Sequence, residues 1–98
     1  MAEFIFTYRT PADYTANTPE GIAAWTAWFQ SMGTQVRDIG KPVYSRATVG
    51  GSAGGTPLGG YSLVTAQSLD EAVTLAKDCP IVAAGGGVEV GELADVPS

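Results

Sequence analysis

Two short segments of this chain, Glu3-Phe4-Ile5-Phe6-Thr7-Tyr8 and Tyr61-Ser62-Leu63-Val64-Thr65, carry apolar side chains on both of their alternating faces. A β-strand points successive residues to opposite sides, so a segment of this kind needs shielding from water on both. In the first segment Phe4, Phe6 and Tyr8 fall on one side, Ile5 and Thr7 on the other. Both segments are therefore expected as central strands. What lies between and after them decides the sheet.

Thr18-Pro19-Glu20 combines an N-cap hydroxyl, a proline at the first helical position and an acid in the first turn. The helix is predicted to run to Met32 and to stop at Gly33. Ile22, Trp25, Phe29 and Met32 form one stripe with Trp28 on its edge, while Ala23, Ala27, Gln30 and Ser31 lie opposite. This is the pattern of a helix lying on a sheet. Ser68-Leu69-Asp70-Glu71 is a capping box, and its helix is predicted through Lys77 or Asp78, with Pro80 ending it.

Val36 to Val49 holds a second strand region, interrupted by Gly40-Lys41-Pro42. Proline cannot donate to a ladder, so the region is expected at an edge or as a bent segment. Gly50 to Pro57 is expected as a flexible hairpin connection, and Val88 to Leu93 as a fourth strand. The order β-α-β-β-α-β predicts an α+β, ferredoxin-like fold: a four-stranded antiparallel sheet with two helices on one face. Right-handed crossovers place strands one and three centrally and strands two and four at the edges. Residues 1–98 read as one domain, with about 94–98 as a C-terminal tail.

Two helices on one face leave the other bare. That rear face would carry Ile5, Leu63 or Val64, and one side of the fourth strand. Wet apolar surface costs about 25 cal/mol per Å². A second copy is the simplest cover, and a low charged fraction of 15% points the same way. The expected partner is thus the chain itself, as a homodimer packed through its sheet faces.

Charge and residue usage exclude several functions. The net charge is −5, and Arg9, Arg37, Lys41, Arg46 and Lys77 are dispersed, so neither nucleic acid nor an anionic membrane surface is an expected partner. No basic stretch precedes an apolar run, and no apolar segment approaches about 20 residues. Neither a leader nor a membrane span is predicted. Cys79 is the sole cysteine, which suits a reducing compartment and a cytoplasmic location. There is no histidine, so the commonest general base, metal ligand and proximal haem ligand is missing. No metal site and no cofactor are predicted.

The candidate site residues are few. Trp25 lies mid-stripe and is expected in the core; Trp28, at the stripe's edge, is the better candidate for lining a pocket. Arg9 follows the first strand and Arg46 sits in the edge region, and either could hold a carboxylate or phosphate bidentately. Tyr8 and Tyr61 could place hydroxyls in a cleft. Cys79 has no histidine to deprotonate it and is expected as core packing. The glycine-rich stretches lack the Gly-Lys-Ser/Thr ending of a phosphate loop and are expected as loops.

The run Leu58-Gly59-Gly60-Tyr61-Ser62-Leu63-Val64-Thr65-Ala66-Gln67-Ser68-Leu69-Asp70-Glu71-Ala72 resembles the hallmark region of YCII-related proteins, where a Gly-Tyr strand runs into a Ser-Leu-(Asp/Glu)-Ala helix. Cys79-Pro80, Gly87-Val88-Glu89-Val90, Glu3-Phe4-Ile5-Phe6, Gly40-Lys41-Pro42 and the Trp25/Trp28 helix extend the resemblance over nearly the whole chain. It implies a dimeric α+β barrel, in which two ferredoxin-like sheets close on each other. Some members carry a His-Asp pair in the cleft and others an Asp-Gly-Pro-Phe motif. This chain departs on both counts, with no histidine and with Gly54-Gly55-Thr56-Pro57 where the second motif would stand. The function expected is binding of a small apolar or amphipathic molecule in a cleft between sheet and helices, lined by Trp28, Tyr61, Arg9, Arg46 and Tyr8. One alternative is a cofactor-independent enzyme of isomerase, lyase or oxygenase type acting on a small acidic substrate, which Tyr and Arg merely orient. The other is a non-catalytic interaction scaffold.

Overall fold

The period-two alternation of the first segment becomes strand β1 (Ala2–Arg9), in which Phe4, Phe6 and Tyr8 are buried. The computed structural model describes residues 1–51 and 57–95. The middle of the expected hairpin connection, residues 52–56, and the end of the tail, residues 96–98, lie outside them.

Along the chain follow α1 (Pro19–Met32), a 3-10 turn (Gly33–Gln35), β2 (Val36–Asp38), β3 (Leu58–Ala66), α2 (Leu69–Lys77), α3 (Pro80–Ala83) and β4 (Gly87–Glu92). The sheet order is β2-β3-β1-β4 with every neighbour antiparallel. The ferredoxin-like order expected from the sequence is therefore observed, with β1 and β3 central. Phe4 pairs with Val64 and Phe6 with Ser62 on one face, Ile5 with Leu63 and Thr7 with Tyr61 on the other. Of the two candidates for the rear face, Leu63 takes it and Val64 is fully buried in front.

Local signals set the helix ends. Thr18 Oγ1 accepts from the Gly21 amide at 3.0 Å and Pro19 opens α1. Gly33 closes it at φ +58°, a conformation that costs a residue with a Cβ. Ser68 Oγ accepts from the Glu71 amide at 3.1 Å, while the Glu71 carboxylate reaches back to the Gln67 amide at 3.0 Å. Pro80 does more than end α2: it is the first residue of the short helix α3.

The front face of the sheet makes the core with the helices. Phe4, Phe6, Tyr8 and Val64 pack against Trp28, Met32, Ala72, Ala76, Cys79 and Ile81, all buried. Each large apolar side chain removed from water in this way stabilises by roughly 1.5–3 kcal/mol. The backbone of α2 comes close to β1, β3 and β4, as small Ala72 and Ala76 permit. The backbone of α1 instead approaches α3 and the 3-10 turn, and its indoles bridge the remaining gap to the sheet.

Two expectations are corrected. The buried line of α1 runs through Trp28 and Met32, so Trp28 is core at 5% exposure, whereas Ile22 is 54% exposed and Trp25 half-buried. The stripe was right in spacing but rotated, because Trp28 stacks on Phe6 with centroids 6.0 Å apart. The second strand is also far shorter than Val36 to Val49. After Asp38 only an isolated bridge from Pro42 to Gly60 remains, since proline and the positive φ of Gly40 break the ladder.

This packing predicts a clear ranking. Trp28→Ala should cost about 3–5 kcal/mol in urea unfolding, and Ile22→Ala at most about 0.5 kcal/mol. Equal losses would show that α1 presents a different face.

Candidate functional site

Between the first turns of α1 and the end of the sheet lies a cavity of about 530 Å³, within the range of small-molecule sites. One face of α1 supplies Ile22, Trp25, Thr26 and Phe29, at helical spacing. The sheet supplies Tyr8 at the end of β1 and Gly59, Gly60 and Tyr61 from β3. Tyr14 comes from the loop before α1, and Ile39 to Val43 with Arg46 come from the chain after β2.

That last segment is held in place along β3. The Val43 amide donates to Gly59 O at 3.1 Å and the Tyr61 amide to Lys41 O at 3.3 Å. Gly40, at φ +73°, lies against the Tyr61 carbonyl so closely that a Cβ would collide with it. Asp38 Oδ1 accepts the Gly40 amide at 2.8 Å and sets the turn.

A hydroxyl chain ties the cavity wall to the core. Ser62 Oγ lies 2.7 Å from Ile39 O, and Tyr8 OH lies 2.6 Å from Ser62 Oγ. A carbonyl can only accept, so the single proton of Ser62 goes to Ile39 and Tyr8 must donate to Ser62. The Tyr8 oxygen then offers lone pairs alone. Desolvation raises its pKa well above the usual phenol value, the Ser62 hydrogen bond lowering it only in part. Tyr14 has the opposite polarity: its oxygen accepts from Trp25 Nε1 at 3.2 Å and keeps its own proton to give. The aromatic wall is edge-packed, with Tyr8 4.8 Å and Trp28 5.7 Å from Trp25 between centroids.

Of the five residues singled out from sequence, Tyr8 and Arg46 come together around this cavity, and Tyr61 borders it although the register of β3 puts it on the rear face with Thr7 and Leu63. Arg9 does not: parity along β1 turns it to the rear face, where it meets Glu89 at 3.5 Å. Trp28 is in the core, its Nε1 donating to Leu75 O at 3.0 Å, and touches only a shallow open groove between α1 and α3. Trp25, expected as core, lines the cavity in its place. Tyr14 and Lys41 were not singled out. A lone aromatic in a loop of small polar residues was the one signal for Tyr14.

Cys79 is buried at the start of α3, and loss of solvation pushes its thiol from 9.0 up to about 12, against two lowering backbone hydrogen bonds. It is inert packing, as expected. Among the described residues no three His, Cys, Asp or Glu side chains converge as metal donors, and no buried side-chain nitrogen or oxygen lacks a hydrogen-bond partner. Among the described residues no helix is long and apolar enough to cross a membrane.

The structure of 5-chloro-2-hydroxyhydroquinone dehydrochlorinase (TftG) from Burkholderia phenoliruptrix AC1100, solved as a complex with 2,5-dihydroxybenzoquinone, is similar to this chain. The TM-score is 0.67 at 18% sequence identity, over 94% of this chain and 93% of that one. This likeness shows the fold. No protein-family model and no curated protein matches the sequence.

The raised thiol and phenol give a pH dependence with a definite sign. Both groups are protonated in the folded protein beyond the pH at which the unfolded chain ionises. Their contribution is whole below about pH 8.5 and is lost as pH rises toward the folded values. Stability in urea should therefore fall steadily above about pH 9, and Cys79→Ala should flatten the first part of that fall. A thiol reagent that titrates the native protein quickly at pH 8 would contradict the burial of Cys79.

Proposed function

We propose that this chain is a dimeric, YCII-related-like domain, one unit over residues 1–98, that binds a small amphipathic molecule in the cavity between α1 and the sheet. The observation carrying this reading is the cavity itself, with Trp25, Phe29 and Ile22 as apolar wall and Tyr8, Tyr14 and Arg46 as polar groups. A filled interior would have favoured the scaffold alternative. The ligand named for the similar structure, a flat oxygenated ring, is of a size and kind that such a wall would take.

The dimer reading is supported by the rear face. Ile5, Leu63 and Tyr61 are only half-buried there, and the helices pack on the opposite side. A second copy laid on this stripe would bury it. The enzyme alternative is favoured by one observation, that the similar structure is a dehydrochlorinase. Without histidine, Tyr8 and Tyr14 would orient a substrate that supplies its own reactivity.

The binding test is a thermal-shift screen of flat aromatic and amphipathic metabolites on the whole chain. A ligand at about 100 times its Kd adds about 2.7 kcal/mol and should raise Tm by about 10 °C or more, an effect weakened in Trp25→Leu. No shift across the panel would end the reading. Turnover of a hit would decide for the enzyme. Sedimentation equilibrium at micromolar concentration should give twice the chain mass, and Leu63→Glu should halve it; a wild-type monomer would remove the dimer.

A further inference from the structure

The chain holds ten acidic and five basic residues, so a cavity lined evenly from its sequence would carry twice as many acids as bases. Among the described residues the lining inverts this: Lys41 and Arg46 are present and no Asp or Glu is. Neither cation is neutralised, since Arg9 with Glu89 is the ion pair found among the described residues. Arg46 is also oriented. Its Nε donates to Leu58 O at 2.9 Å and Nη2 to Val43 O at 3.4 Å, which hold the guanidinium at the rim with donors to spare. Lys41 lines the same cavity and its backbone is fixed along β3, its carbonyl accepting from the Tyr61 amide at 3.3 Å while the adjacent Pro42 bridges to Gly60.

Resting on the binding reading above, we infer that the ligand is an aromatic carboxylate. Its ring lies against Trp25 and Phe29, and its carboxylate meets Lys41 and Arg46. A planar guanidinium matches a carboxylate's two oxygens. A doubly charged phosphate would call for more donors than two rim cations over a largely apolar wall. The hydroxyls add a finer preference: Tyr14 has a proton to give and Tyr8 has only lone pairs, so a ring bearing its own hydroxyl can donate to Tyr8.

The test pairs acids with their neutral counterparts. Benzoate and 2,5-dihydroxybenzoate are each compared with their methyl esters, by tryptophan fluorescence and thermal shift on the whole chain. The acids should bind about fivefold or more tightly than the esters, and the margin should shrink as salt is raised from 50 to about 500 mM. Lys41→Gln and Arg46→Gln should each bring the acid-to-ester ratio toward one. Both side chains are exposed at the rim, and the salt series on the unaltered chain needs no variant at all. Esters binding as well as the acids would overturn the carboxylate and leave a neutral ligand in the same cavity. Binding of neither class would overturn the carboxylate and the cavity reading together.

Discussion

The indole of Trp28 lies over Phe6 of β1, edge-on to Trp25, and gives its N–H to the Leu75 carbonyl of α2. One side chain thus ties the sheet, α1 and α2 together while leaving no polar atom unpaired. Its length also sets a spacing. Ala72 and Ala76 let α2 settle onto the strands, whereas Trp28 and Trp25 hold α1 away from them. The space left under the first turns of α1 is the cavity. Core and pocket are two results of the same choice of large and small residues on the two helices.

Much of this was legible in the residues. Caps at Thr18 and Ser68, the stop at Gly33 and the two-sided apolar strands are local signals, each decided by a few neighbouring groups. They brought out the element order and the sheet topology. The facing of α1 was not legible to the same degree. Ile22, Trp25, Trp28, Phe29 and Met32 span an arc wider than one contact surface, and the stacking of Trp28 on Phe6 selects which part is buried. That contact joins residues far apart in sequence, so periodicity within the helix cannot see it. The cavity was illegible for a related reason: an apolar helix face looks the same whether it meets side chains or empty space.

The chemistry open to the site follows from its polarity. Tyr8, Ser62 and Ile39 O form a chain whose direction is forced by the carbonyl at its end. A phenol so placed, with its ionisation suppressed by burial, is a poor proton source and a fixed acceptor. Cys79 is shielded and protonated. The groups left to meet a ligand are the Tyr14 hydroxyl and two rim cations, donors suited to holding and orienting it. Positioning is what this arrangement does best.

Parity along β1 then settles where charge can act. Phe4, Phe6 and Tyr8 must face the core, which sends Arg9 to the rear, out of reach of the cavity. Positive charge for a ligand has to come from another element, and the broken edge supplies it. Had Val36 to Val49 continued as a regular strand, its side chains would have alternated between the two sheet faces. Instead Pro42 and the positive φ of Gly40 end the ladder after Asp38, and the chain turns along the cavity mouth with Lys41 and Arg46 on the rim. The imperfection of the edge strand, a defect by the standards of sheet stability, is what brings cations to an otherwise apolar wall.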